Sequence, residues 1–174
     1  MNQQEKIINL NHLYLGSFPI PSGYAKYDVE IKNCCGELAI AGLLNIPVPM
    51  VFKKGKIKIT DLEKGTSQKK MREILKNLGF KTKQHGVKDK FKIPKCDLAI
   101  VRISFGNPKQ HWIETAKKSH YLALKKFKSG NYYVLDNIKI DGKYSWIERT
   151  EFKKVIEADK IFITSYLELL NGGI

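Results

Sequence analysis

The stretch Asn33-Cys34-Cys35-Gly36-Glu37-Leu38-Ala39-Ile40-Ala41-Gly42-Leu43-Leu44 decides how this chain folds. Two adjacent cysteines precede an apolar run in which Leu38, Ala41 and Leu44 recur at the spacing of one helix face. The pattern predicts a helix that begins near Cys35 and ends before the prolines that follow.

Cys35 would stand at the N-terminus of this helix. Unpaired backbone N–H groups and the helix dipole favour the thiolate form of a cysteine there, which makes the sulfur nucleophilic. The alternative is that Cys34 and Cys35 are both small buried side chains, as free cysteines often are.

The composition indicates one globular domain over residues 1–174, with residues 1–23 as an irregular lead-in. Three cysteines, two of them adjacent, do not form a disulfide framework, and they favour a reducing compartment. The first residues lack the layout of a signal peptide, and the longest apolar stretch, 38–52, is interrupted by two prolines. We therefore expect a cytoplasmic protein with no transmembrane segment.

The net charge of +14 favours anionic partners such as acidic peptides. Only Arg72, Arg102 and Arg149 are arginines, however, and the lysines are scattered rather than clustered. Base recognition and bidentate phosphate binding prefer arginine, so nucleic acid is not the expected partner, and a generally solvated basic surface is the favoured interpretation of the charge.

Helices are predicted to come before hairpin-connected strands, which favours an α+β fold with an antiparallel sheet. In chain order the sequence predicts an extended piece at 24–31, an exposed hairpin or loop at 53–61, a helix from Thr66 or Ser67 to Gly79, an extended segment at 80–87, a central strand at 97–103, a hairpin of 120–127 with 132–135, a helix capped by Thr150, and a last strand at 161–163.

A cysteine nucleophile needs a base and a group that orients the base. Of the four histidines, His120 alone opens a strong predicted strand, and Asp136 ends the other strand of the same hairpin. The two ends of a tight hairpin are neighbours, so Asp136 can orient His120 once Cys35 approaches. Asn137 is an alternative for the orienting role.

These residues resemble the papain-like peptidases that cut bacteriocin leaders after a double glycine. The matching pieces are Cys35-Gly36 before a small residue at Ala39, and His120-Tyr-Leu-Ala-Leu followed sixteen residues on by Asp136. The resemblance covers roughly residues 24–166. It implies a papain-like fold in which the cysteine helix packs on an antiparallel sheet, with Cys35 as nucleophile, His120 as base and Asp136 as its orienting group.

Two positions depart from that family. The family has a glutamine six residues before the nucleophile, whose amide helps to form the oxyanion hole, and this chain has Val29 there. The remaining donor would be the Cys35 backbone N–H, with Asn33 as a substitute, and Cys34 takes the position before the nucleophile. Asp136-Asn137 also replaces the usual Asp-Pro.

The expected function is that of a cytoplasmic cysteine peptidase, with a peptide or protein as substrate and neither cofactor nor metal. The alternative is a papain-like module that binds peptides without cutting them. A zinc site from Cys34, Cys35, Cys96 and His120 is disfavoured because no C-x-x-C spacing exists. The terminal Gly172-Gly173 resembles the cleaved end of a leader, and its alternative is a frayed tail.

Overall fold

A computed structural model describes residues 20–62, 65–105, 119–135, 144–158 and 160–170. The described residues form a six-stranded antiparallel sheet with helices on both faces. The helices are α1 (Tyr24–Glu30), α2 (Cys35–Leu44), α3 (Val48–Gly55), a 3-10 turn (Ile59–Leu62), α4 (Gln68–Asn77) and α5 (Arg149–Ala158). The strands are β1 (Lys81–Gly86), β2 (Leu98–Phe105), β3 (Ser119–Lys126), β4 (Tyr132–Leu135), β5 (Trp146–Glu148) and β6 (Ile161–Leu170).

Helix α2 is the expected cysteine helix, and it is confirmed. Every residue from Gly36 to Leu44 is buried, and Asn45 ends the helix in the left-handed conformation at φ 50°. A Cβ on Gly42 would lie 2.5 Å from Leu135 Cδ2, so the missing side chain lets α2 approach the sheet closely.

Residues 24–30 form helix α1, so the expected extended piece is wrong. Tyr24 is buried, and Tyr27 and Ile31 pack against the same core. Their spacing of three and four residues is the helical one, and burial of that face decides the conformation. Val29, on the opposite side, is 71% exposed.

The expected hairpin or loop at 53–61 is also wrong, because helix α3 runs to Gly55 and a 3-10 turn follows. Pro49 lies in the first turn of α3, where a backbone N–H has no partner within the helix and proline is tolerated. Val51 and Phe52 are buried and anchor this helix in the core.

Helix α4 confirms the expected second helix. Ser67 caps it, since its hydroxyl accepts a hydrogen bond from the Lys70 N–H at 3.2 Å. Met71, Ile74 and Leu75 form a fully buried face.

The strand order is β1-β6-β2-β3-β4-β5. Strand β2 is interior, between β6 and β3, and the β3–β4 hairpin is present, so both predictions are confirmed. Strand β6 extends well beyond the predicted 161–163, because it pairs with β1 as well as β2. Leu167 is buried in the core and β6 ends at Leu170, so Leu167 and Leu170 belong to the sheet, while Gly172-Gly173 lies outside the described residues.

The sheet separates two apolar clusters. The α2-side cluster contains α1 to α4 together with residues such as Ile100 and Ala123. The α5-side cluster contains Phe152 and Ile156 of α5, which begins one residue before the predicted cap Thr150. The expected α+β class with an antiparallel sheet is confirmed. Within the described ranges, no single helix meets the length and hydropathy needed to cross a membrane, and the apolar pair α2 and α3 is bent by 112°.

Candidate thiol site

Cys35 is the first residue of α2, and its side chain is partly exposed. Helix α2 packs along β3, and its first turn also meets α4. A Cβ on Gly36 would lie 2.5 Å from Met71 Sδ and 3.3 Å from Thr66, so this glycine allows the close contact. The tight packing fixes the position of the Cys35 backbone.

Cys34, one residue earlier, has a contrasting environment. Its side chain is 2% exposed, and its Sγ donates to the carbonyls of Ile31 at 3.2 Å and Tyr27 at 3.4 Å. Burial, with smaller contributions from Glu37 and Cys35, raises the pKa of the Cys34 thiol to about 12. Cys34 is therefore protonated and inaccessible at neutral pH, whereas Cys35 is accessible.

His120 is the second residue of β3. The next residue, Tyr121, belongs to the α2-side cluster, and neighbouring side chains of a strand point to opposite faces. His120 is accordingly directed to the other face, where the centroid of its ring lies 6.5 Å from that of Phe105. The approach of the Cys35 thiol to the His120 ring stays a prediction.

The remaining predicted site residues are distributed as follows. Asn33 is exposed and holds a left-handed backbone at φ 63°, directly before Cys34. Asp136 and Asn137 lie outside the described residues, so the orienting role stays a prediction for both.

Glu37 is a site residue that the sequence analysis missed. Its side chain is 0% exposed, Oε1 accepts a hydrogen bond from Thr66 Oγ1 at 2.6 Å, and Oε2 is buried without a partner. Burial raises the pKa of this carboxyl, against smaller opposing effects of the Thr66 hydrogen bond and Lys70. A lone charge within an apolar helical run was the signal in the sequence.

Tyr121 and Arg102 were missed as well. They face each other across β3 and β2, on the side where α2 packs. Burial raises the pKa of the Tyr121 hydroxyl to about 12, while the charge of Arg102 lowers it and those of Cys35 and Glu37 raise it. Tyr121 therefore lies opposite a cation on the face of the sheet where α2 packs. The signal for Arg102 was a single charge in the apolar strand β2.

In the part of the chain that the structure describes, no group of three or more His, Cys, Asp or Glu side chains could hold a metal ion. Cys96, one of the four residues in the zinc alternative, packs against the α5-side cluster, on the other face of the sheet from Cys34. Burial raises the pKa of its thiol to about 12. The described positions of Cys34 and Cys96 do not suit one metal ion.

No protein-family model matches the chain, and no curated protein matches it significantly. The function must therefore be argued from the thiol site itself.

Proposed function

We propose that this chain is a cysteine peptidase of papain-like fold, acting in a reducing compartment such as the cytoplasm. Cys35 is the nucleophile, His120 is the general base and then the general acid, and Asp136 orients His120. The substrate is a peptide or protein.

The observation that supports this proposal best is the contrast between the two adjacent cysteines. Cys35 is accessible at the start of a buried ten-residue helix, while the Cys34 thiol is buried and hydrogen-bonded to two carbonyls. The helix packs on β3, the strand that carries His120. A rigid helix that presents one thiol, packed on the strand that carries a histidine, supports nucleophilic catalysis, which further requires that the His120 imidazole reach the Cys35 sulfur.

In the proposed reaction the Cys35 sulfur attacks the carbonyl carbon of the scissile peptide bond as His120 accepts the thiol proton. The tetrahedral oxyanion is stabilised by the Cys35 backbone N–H, which has no partner within the helix. The C–N bond then breaks, His120 returns the proton to the leaving amine, and a thioester remains. Water hydrolyses the thioester and restores the thiol.

The proposed specificity is for small residues, above all Gly-Gly, just before the scissile bond. Only glycine lets the substrate backbone pass close to a nucleophile without a steric clash from Cβ. Apolar side chains upstream would anchor the peptide in a groove.

The test is cleavage of two peptide libraries, one with Gly-Gly and one with bulky pairs before the scissile bond. We expect cleavage of the Gly-Gly library that is lost in Cys35→Ala and kept in the matched control Cys34→Ala. Cleavage that favours bulky pairs would overturn the double-glycine specificity only. Cleavage that survives in Cys35→Ala would overturn the assignment of the nucleophile.

Two observations favour a peptide-binding module as the second candidate function. Val29 is 71% exposed and cannot replace the amide of the family glutamine, so one oxyanion donor is missing. His120 is directed to the face of the sheet away from α2, as described above. Binding of Gly-Gly peptides without turnover, together with slow alkylation of Cys35, would favour this second function.

A further inference from the structure

Arg102 is a cation in the middle of the sheet. It lies on the interior strand β2, between Ser165 of β6 and Tyr121 of β3. One guanidinium nitrogen, Nη2, donates to Ser119 Oγ at 3.1 Å, and Nε is buried with no partner. A guanidinium with an unmade hydrogen bond in a desolvated position is costly unless an acceptor completes it, and a carboxylate is the acceptor that suits a guanidinium best.

Among the described residues, the side chains around Arg102 carry hydroxyl groups, and no carboxylate forms an ion pair with it. Ser119, Tyr121 and Ser165 surround it on the α2 side of the sheet, and no Asp or Glu of the described residues forms an ion pair with it. Lys70 and Lys126, by contrast, each have a carboxylate within 4.0 Å.

A chain of contacts connects this cation to the nucleophile. Gln68, the first residue of α4, donates to Ser165 Oγ at 2.6 Å, next to Arg102. The start of α4 also touches the first turn of α2 through Met71 and Gly36. The N-terminus of α4 therefore lies beside the sheet position of Arg102 and brings partial positive charge to it.

We propose that Arg102 is the anion-binding residue of the Cys35 site, and that the substrate carries a carboxylate near its scissile bond. The inference rests on the proposed peptidase function and adds the chemical class of the substrate. A guanidinium binds a carboxylate in bidentate fashion, which fixes the orientation of the peptide as well as adding affinity.

The buried carboxyl of Glu37, two residues after Cys35, does not oppose this role. It bonds to Thr66 rather than to Arg102, and burial raises its pKa, which favours the uncharged form. Arg102 pairs with Tyr121 across β2 and β3, and Tyr121 belongs to the α2-side cluster, so the cation lies on the face of the sheet that carries the cysteine helix.

Two small alkylating reagents test the proposal, since iodoacetate carries a carboxylate and iodoacetamide is its neutral analogue. The rate of Cys35 modification by each is followed by mass-spectrometric mapping in the intact chain, and the iodoacetate-to-iodoacetamide ratio is compared between variants. We expect Arg102→Gln to lower this ratio about tenfold, because one charge-assisted contact is lost. Arg102→Lys should retain an intermediate ratio, since it keeps the charge and loses the bidentate geometry.

Arg149→Gln is the matched control. Arg149 also has a buried Nε without a partner, but it lies on the α5 side of the sheet and bonds to the Ile93 carbonyl. We expect the iodoacetate-to-iodoacetamide ratio of Arg149→Gln to equal that of the wild type. An equal ratio in Arg102→Gln and the wild type, with Cys35 still reactive, would overturn the inference alone. A Cys35 inert to both reagents would overturn the inference together with the proposed peptidase.

The ratio of the two rates in Arg102→Gln also separates anion binding from other effects of the cation. Loss of a nearby cation makes the Cys35 thiolate scarcer and slows both reagents equally, so this effect cancels in the iodoacetate-to-iodoacetamide ratio and only the loss of anion binding lowers that ratio. A parallel fall of both rates with an unchanged ratio would show that Arg102 supports the thiolate or the structure of the site rather than an anion, and would overturn the inference.

Discussion

At the residue scale, one position along the chain separates an inert thiol from an accessible one. Cys34 is the residue before α2, and its sulfur is turned into the carbonyls that end α1. Cys35 is one step further round the helix and reaches the surface. A helix turns about 100° per residue, so adjacent side chains meet different environments.

The first prediction is that iodoacetamide modifies Cys35 at least about tenfold faster than Cys34 in the native chain. The reason is that the Cys34 thiol is buried and has a pKa raised to about 12, so its reactive thiolate is scarce. Competitive labelling at pH 6 to 8 (about the range where thiolates begin to form) with mass-spectrometric mapping measures both rates. Faster labelling of Cys34 would contradict the assignment.

The second prediction concerns the pH dependence of stability at Glu37. Burial raises the pKa of this carboxyl in the folded chain above its ordinary value of 4.5. Stabilisation from the protonated form is then fully present below pH 4.5 and is lost as the pH rises through the folded pKa. As the pH rises from 4.5 through the folded pKa, the free energy of unfolding of the wild type should fall relative to that of Glu37→Gln. The fall should be at most about 1.4 kcal/mol per pH unit.

Urea unfolding of both chains across this pH range measures the effect, with Glu73→Gln as the matched control. Glu73 is an exposed glutamate in α4, so its replacement should leave the pH dependence close to that of the wild type. Parallel stability curves for Glu37→Gln and the wild type would show that Glu37 is already ionised in the fold.

At the element scale, close approach of α2 to the sheet depends on glycine. The third prediction is that Gly42→Ala destabilises the fold by about 1 kcal/mol, because the gain in helix propensity only partly offsets the overpacking. The new Cβ would lie 2.5 Å from Leu135 Cδ2 and 3.9 Å from Ala123 Cβ. The measurement is the free energy of unfolding in urea.

A double-mutant cycle with Leu135→Ala tests whether contact with Leu135 causes the destabilisation by Gly42→Ala. Removing the Leu135 methyl groups creates space, so Gly42→Ala should destabilise less in that background. Gly86→Ala is the matched control, because nothing lies within 4 Å of a Cβ there. If Gly42→Ala costs the same in both backgrounds, the contact with Leu135 is not the cause.

Elements with one clear periodicity could be predicted from the sequence, and those with ambiguous periodicity could not. Helix α4 has a capping serine and a single apolar face, and strand β2 begins with the apolar run 98–101. The region 24–31 carries β-branched and aromatic residues at spacings that suit a strand or a helix, and only burial of Tyr24 decides between them. Tertiary packing therefore overrides local propensity in α1.

The residues of the candidate site likewise differ in whether local sequence could predict them. Cys35 could be predicted, since its helix start is local information. Arg102 could not, because its neighbours Tyr121 and Ser165 come from two other strands, and a sequence motif does not record strand order. Glu37 was missed for the related reason that its partner Thr66 lies 29 residues away.

At the scale of the whole molecule, the positive charge is much larger than any single site requires. The chain has 31 lysines and arginines against 17 acidic residues, a net charge of +14. The described carboxylates that form ion pairs do so largely on exposed faces, for example Glu151 with Lys154 and Glu157 with Lys153. The surplus cations therefore create a long-range positive field around the proposed site.

The fourth prediction is that this field steers acidic peptides, so their advantage depends on salt. The kcat/KM of an acidic Gly-Gly peptide relative to a neutral one should fall about tenfold between roughly 0.01 M and 0.15 M salt, as the Debye length shrinks from about 30 Å to about 8 Å. The remaining preference at high salt should be lost in Arg102→Gln, because a direct contact with Arg102 is screened far less than the surface field. A ratio that does not change with salt would mean that the +14 charge plays no part in substrate capture.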